Sequence, residues 1–120
     1  IDDYEVMHFD GETVSLDENT RFVASKPTKL VAHGLGGTTH IDHIFNAAYA
    51  KAGYDYNVIG IDWRQVQGDG YQAILDLAGN HSARFLKGMV EDYGLQLNDV
   101  HAIGWSYGPH VIGNSQTLFF

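Results

Sequence analysis

The segment Gly104-Trp105-Ser106-Tyr107-Gly108 has the clearest capacity for chemistry in this chain. A serine with a glycine two residues before and two after it, between an apolar run and a helix-compatible segment, is the sequence form of a nucleophile elbow. Glycine is needed at both places because a Cβ there would collide with the neighbouring strand or helix. The pattern predicts Ser106 as a nucleophile that attacks an ester carbonyl. Gly-x-Ser-x-Gly also arises by chance in a chain with 14 glycines. The position of the motif between a buried strand and a helix start is what favours a true nucleophile elbow.

An attacking serine also needs hydrogen-bond donors for the oxyanion that develops, and losing one typically costs about 10²–10³ in rate. One predicted donor is the backbone N–H of Tyr107, directly after the nucleophile, and the second should come from the loop after an earlier strand. Residues 33–37, His-Gly-Leu-Gly-Gly, suit that loop. We expect the N–H of Leu35 to be the donor, with Gly34 allowing the backbone to turn. His33 is expected to order this loop rather than transfer protons.

The remaining titratable residues give weaker signals. His110, one turn into the helix after Ser106, is interpreted as a packing or supporting residue. His40, Asp42 and His43 form a small cluster, but two histidines without a clear third ligand favour a solvated helix start over a metal site. Residues 62–63 (Asp-Trp) are expected to cap and pack a loop at the carboxyl edge of the sheet. No metal and no cofactor are predicted.

Composition limits the classes of function. The formal net charge is −8, from 15 acidic and 7 basic residues, and such a surface repels nucleic acid and anionic lipid. Cysteine is absent, which removes disulfides, thiolate zinc sites and cysteine nucleophiles. No apolar stretch approaches membrane-spanning length. Asn80-His81-Ser82 is a glycosylation sequon, but it lies inside a predicted helix and is interpreted as a chance match.

Hydrophobic periodicity predicts a single α/β domain around these residues. Three short apolar runs alternate with two helical patterns, which indicates parallel strands joined by crossover helices. A β-hairpin around Asp10-Gly11 is expected before them. The predicted strands are 29–33, 57–62 and 99–104, all three buried and the second covered on both faces. The predicted helices run from 41 to about 52 and from 71 to 93, ending at Gly53 and Gly94.

With these motifs in order, the chain resembles the N-terminal part of the pancreatic-lipase-type α/β-hydrolases, especially the arthropod branch of lipases and phospholipases A1. Residues 27–34 are similar to the strand that leads to the oxyanion loop. Residues 56–63 resemble the signature Asn-Val-Ile-x-x-Asp-Trp, residues 71–73 the start of the long helix, and residues 101–111 the nucleophile segment. The chain departs from the family at Trp105, where histidine is usual, and at residues 107–109, where Leu-Gly-Ala is usual.

The resemblance implies a partial lipase-like domain over residues 1–120 of a secreted serine ester hydrolase. Its substrates would be acylglycerol or phospholipid esters, with transient contact at a lipid interface. In this architecture the order is serine, then acid, then histidine, and only residues 107–120 follow Ser106. We therefore expect the acid, the histidine and further strands from a continuation or a companion chain. The alternative is a lipase-like yolk, storage or lipid-binding protein without turnover.

Overall fold

The computed structural model describes residues 8–9, 14–15, 22–34, 40–61, 63, 70–106 and 108–119. The elements follow the α/β order that the hydrophobic periodicity predicts. They are β1 (His8–Phe9), β2 (Val14–Ser15), β3 (Thr28–Ala32), α1 (His40–Lys51), β4 (Asn57–Ile61), α2 (Tyr71–Tyr93), a 3-10 helix (Leu97–Asp99), β5 (Val100–Gly104) and α3 (Gly108–Phe119).

The main sheet has three parallel strands in the order β4-β3-β5. Thr28 at the start of β3 is in register with both Asn57 and Val100, so all three strands end at the same edge of the sheet. The predicted parallel pairing is confirmed, with β3 between its two partners. The predicted N-terminal hairpin is confirmed as an antiparallel pairing of β1 with β2, while its turn at residues 10–13 lies outside the described part of the chain.

Helices cover opposite faces of this sheet. Lys29 places its ammonium nitrogen 5.7 Å from the ring centre of Tyr49 on α1. Ile61, whose register partner is Ala32, packs instead against a buried cluster of Trp63, Ala78 and Val111 contributed by the β4 end, α2 and α3. Because successive side chains of a strand point to opposite faces, α1 lies on one face and the α2–α3 pair on the other.

The long helix α2 forms as predicted because its apolar residues recur at helical spacing. Ala78, Ser82 and Met89 on the predicted inner face are buried. The helix ends where Gly94 adopts a left-handed φ of 75°, and the N–H of Leu95 then donates to the carbonyl of Met89 at 3.0 Å. This C-cap geometry suits glycine, which has no Cβ penalty there. None of the helices in the described ranges combines the length and apolar character needed to cross a bilayer.

Asn57 is a buried polar anchor that the sequence did not reveal. Its side-chain amide donates to the carbonyls of Val23 and Lys26 at 2.9 and 3.2 Å and approaches the Thr28 hydroxyl at 3.1 Å. Its carbonyl oxygen accepts the N–H of Val23 at 3.0 Å. One side chain at the start of β4 therefore satisfies the backbone of the segment that leads into β3, which fixes where that strand begins.

The prediction that β5 is a buried strand is wrong. None of Val100–Gly104 is buried, and His101 and Ala102 are exposed. Among the residues that the structure describes, β5 pairs only with β3, so its other edge and part of its surface have no cover there. An apolar run alone gives the strand but not what surrounds it. The β4 prediction is correct only in part, because Asn57 and Ile59 are buried whereas Val58, Gly60 and Ile61 are half-buried.

Candidate active site

Ser106 lies on a sharp turn between β5 and α3. Its φ is 55°, and it is the only non-glycine residue with positive φ in the described part of the chain. The N–H of Gly108 donates to the carbonyl of Trp105 at 2.8 Å, which closes the turn, and the N–H of Trp105 donates to the carbonyl of Ala32 at 3.0 Å. A non-glycine residue in this region stores about 1–3 kcal/mol of strain and is typical of functional sites. The predicted strained strand-to-helix turn is therefore present, with Ser106 exposed.

The two glycines of the motif are needed for close packing. A Cβ on Gly104 would lie 2.6 Å from Cδ of Pro109 and 2.7 Å from its Cα. A Cβ on Gly108 would press on the carbonyl oxygen of Ala32 and come within 3.0 Å of the oxygen of His33. The first glycine thus lets α3 return close to the strand that precedes it, and the second lets α3 begin directly against the end of β3. Both are sterically required, as the sequence pattern predicts.

The end of β3 meets the Ser106 turn at Gly34. A Cβ on Gly34 would be 3.2 Å from Cβ of Ser106 and 3.2 Å from the carbonyl oxygen of Trp105. The loop predicted to supply an oxyanion donor therefore starts beside the predicted nucleophile. Leu35 and Tyr107, whose N–H groups are the predicted donors, lie outside the described residues, so their role stays a prediction.

Trp63 holds His33 through two hydrogen bonds, one to its imidazole and one to its backbone carbonyl. The backbone N–H of Trp63 donates to Nε2 of His33 at 3.1 Å, and the indole N–H donates to the His33 carbonyl at 2.8 Å. The two rings are parallel, with an interplanar angle of 1° and centres 4.9 Å apart. Nδ1 of His33 is 2.8 Å from the carbonyl oxygen of Gly34. His33 and Trp63 are 3% and 4% exposed, which fits the prediction that His33 orders the loop and that Trp63 packs there.

The link between His33 and Trp63 was not predicted from the sequence. The two residues are 30 positions apart and follow different strands. The signal available was their topology: His33 follows β3 and Trp63 follows β4, and neighbouring parallel strands bring their carboxyl ends together at one edge of the sheet.

Trp105, which precedes Ser106, is exposed beside Gly34. Its side chain is 66% exposed, and its Cδ1 would be 3.3 Å from a Cβ on Gly34. One edge of the indole therefore lies beside Gly34, while most of the ring faces solvent.

The remaining candidate residues are His110 and the predicted His/Asp cluster near the start of α1. His110 is exposed on α3, and its packing or supporting role stays a prediction. No cluster of three or more metal-ligating side chains occurs among the residues that the structure describes. The side chains of His40, Asp42 and His43, and the whole of Asp62, lie outside the described residues.

Comparison with known proteins agrees with this geometry. The family model described as Lipase matches residues 3–119, so the chain belongs to the lipase family. It is 33% identical over 107 residues to lipoprotein lipase of Mus musculus, and the alignment covers 83% of this chain and 22% of that protein. It is 32% identical over 104 residues to lipoprotein lipase of Homo sapiens, with 81% and 22% covered, and 32% identical over 104 residues to that of Gallus gallus, with 81% and 21% covered.

Two conclusions follow from these matches. The three-stranded parallel sheet with its helices is the N-terminal portion of an α/β-hydrolase fold of the lipase kind, as the sequence motifs imply. The chain spans about a fifth of the length of the curated relatives it matches.

Proposed function

We propose that this chain carries the nucleophile of a lipase-like serine ester hydrolase. The observation that carries the proposal is the strained turn at Ser106, which holds the serine exposed beside Gly34 at the carboxyl edge of the sheet. A serine is held in such a conformation only when the surrounding structure enforces it. Membership of the lipase family supports ester hydrolysis as the reaction that uses it.

In the proposed reaction, Oγ of Ser106 attacks the ester carbonyl carbon and passes its proton to a histidine base. The carbonyl oxygen becomes an oxyanion that accepts hydrogen bonds from the N–H groups of Leu35 and Tyr107. The tetrahedral intermediate expels the alcohol, which takes the proton from the histidine, and leaves an acyl-serine. Water then attacks the acyl-serine by the same route, releasing the fatty acid and restoring Ser106.

The base and its acidic partner are proposed to come from a continuation of this chain or from a companion chain. His33 is engaged by Trp63 and Gly34. His110 follows Ser106 without the acidic residue that this architecture places between serine and histidine. The same additional chain would supply strands beyond β5, and β5 has one edge without a partner in the described residues.

The proposed substrates are acylglycerol or phospholipid esters in an extracellular setting. The names of the relatives, lipoprotein lipases, support a lipid ester. The exposed indole of Trp105 next to Ser106 supports contact with an acyl chain or a lipid surface. Nucleic acid is not a proposed partner, because the formal charge of −8 opposes it.

A second candidate is a lipase-like yolk, storage or lipid-binding protein without turnover. The observation that favours it is the large indole of Trp105 beside Ser106. The family usually has histidine at this position, and the indole extends along Gly34. In that case the same surface would hold lipid while excluding the geometry for attack. Retention of Ser106 in a strained turn favours the hydrolase.

Comparison of the wild-type protein with Ser106→Ala tests the hydrolase proposal. The complete protein is assayed on a triacylglycerol and on a diacyl phospholipid, with Ser25→Ala, an exposed serine in a distant turn, as the matched control. We expect loss of turnover only in Ser106→Ala, with thermal unfolding retained. The preferred substrate then separates lipase from phospholipase. Lipid binding without turnover in all three proteins would support the storage or binding alternative.

A further inference from the structure

His33 and Trp63 form a clamp at the start of the loop that follows β3, and the clamp determines where the imidazole proton lies. Nε2 of His33 faces the backbone N–H of Trp63, which can only donate. Nε2 therefore accepts and carries no proton. The ring proton must then be on Nδ1, which lies 2.8 Å from the carbonyl oxygen of Gly34 and donates to it.

The Gly34 carbonyl that His33 holds belongs to the same peptide group as the N–H of the next residue. A trans peptide is planar, and its C=O and N–H point in opposite directions. Fixing the carbonyl therefore fixes the direction in which that N–H can donate. The indole N–H of Trp63 holds the preceding carbonyl, that of His33, at 2.8 Å. The clamp thus holds two consecutive carbonyls, those of His33 and Gly34, where Gly34 passes Ser106.

We propose that Trp63 is a positioning residue for ester hydrolysis, acting through His33. Trp63 sets the His33 tautomer and holds its ring and carbonyl. His33 in turn holds the Gly34 carbonyl. The N–H of the same peptide group, which is the predicted Leu35 donor, is then directed towards the oxyanion before substrate arrives. An oxyanion donor is effective because it is preorganised rather than recruited during the reaction. This inference rests on the proposed hydrolase function and adds to it a residue from the end of β4.

Burial explains why the clamp can hold its geometry. His33 is 3% exposed and Trp63 is 4% exposed, so water does not compete for their hydrogen bonds. The parallel stacking adds a packing contact that resists rotation of the imidazole. Trp63 itself is anchored among Ala78 and Val111, between α2 and α3.

Matched substitutions of His33 test the proposal in the complete protein. His33→Asn keeps an N–H donor near the position of Nδ1, whereas His33→Gln places its amide near Nε2 and leaves the Gly34 carbonyl without its donor. We expect His33→Gln to lower kcat by about 10- to 100-fold with little change in KM, and His33→Asn to recover most of that loss. A buried residue with only a structural role would not distinguish the two amides in this order.

Trp63→Phe tests the indole directly, because it removes the donor to the His33 carbonyl and keeps an aromatic ring and the backbone N–H. We expect kcat to fall roughly 10-fold with KM nearly unchanged, on the scale of a weakened oxyanion donor. Leu95→Ala is the control, since Leu95 is 3% exposed in the separate cluster around Met89. It should reduce thermal stability while leaving kcat per folded molecule unchanged.

Nitrogen NMR of the His33 imidazole shows which ring nitrogen carries the proton, and it tests the clamp independently of turnover. We expect Nδ1 to be protonated and Nε2 unprotonated in the wild-type protein, and a proton on Nε2 would overturn the clamp. Active wild-type protein with unchanged kcat in His33→Gln and Trp63→Phe would overturn the positioning role and leave the hydrolase proposal intact. Absence of turnover in wild-type protein with the expected tautomer would overturn the hydrolase proposal, and with it the catalytic role of the clamp.

Discussion

Ser106 combines exposure with a backbone conformation that glycine adopts at lower cost. We expect Ser106→Gly to have a free energy of unfolding about 1 kcal/mol higher than Ser106→Ala, because only glycine relieves the left-handed φ. Both variants remove the hydroxyl, so they differ only in backbone strain and in unfolded-state entropy. Chemical denaturation of the two variants measures the difference. A Ser106→Gly variant that is no more stable than Ser106→Ala would contradict the prediction, because relief of the left-handed φ would then not exceed the entropy that glycine adds to the unfolded state.

Gly108 and Gly113 provide a matched pair within α3. A Cβ on Gly108 would press on the backbone of Ala32, whereas a Cβ on Gly113 would meet no described atom within 4 Å. We expect Gly108→Ala to lower the free energy of unfolding by about 3 kcal/mol through overpacking. Gly113→Ala should raise it by about 0.5–1 kcal/mol, as alanine is the better helix former. Thermal unfolding monitored by circular dichroism checks the sign of each change. If both substitutions destabilise the protein to a similar extent, the loss at Gly108 does not come from its close approach to Ala32.

At the scale of elements, Asn57 joins the start of β4 to the segment before β3. Its removal leaves the backbone N–H and carbonyl of Val23 without these partners. We expect Asn57→Ala to lower the free energy of unfolding by about 2–4 kcal/mol, since several hydrogen bonds are lost together. Asn80→Ala on the exposed surface of α2 is the control and should not lower it, because alanine is the better helix former. Chemical denaturation that gives similar values for the two variants would show that Asn57 does not anchor β3.

The elements that position Ser106 were largely predictable from the sequence. Apolar runs gave β3, β4 and β5, helical spacing gave α1 and α2, and the steric need for Gly104 and Gly108 followed from the motif. The bonds from Asn57 to Val23 and from Trp63 to His33 could not be predicted from local patterns, although the strand topology brings Trp63 and His33 to the same edge of the sheet. These bonds join residues 34 and 30 positions apart, and no local pattern records such a contact. The burial predicted for β5 from its apolar run is not observed, because burial depends on what packs beside a strand. An unpaired edge beyond β5 was expected, since further strands were predicted there.

At the scale of the whole molecule, the open edge of β5 bears on whether further strands complete the sheet. Its exposed His101 and Ala102 and its single partner in the described residues leave an edge open to pairing. We expect native mass spectrometry of the protein from its source to show Ser106 within a species larger than 13.3 kDa, either a longer polypeptide or a complex. A stable, soluble 13.3 kDa monomer as the native form would contradict this expectation.

Labelling by a fluorophosphonate tests the central claim most directly, because the reagent reacts with a serine only when a base and oxyanion donors activate it. The complete native protein is labelled, digested and sequenced by mass spectrometry, with Ser106→Ala and heat-unfolded protein as controls. The account predicts one modified serine, Ser106, in the folded wild-type protein and none in either control. Folded wild-type protein that is not labelled at Ser106, or that is labelled at another serine, would contradict it.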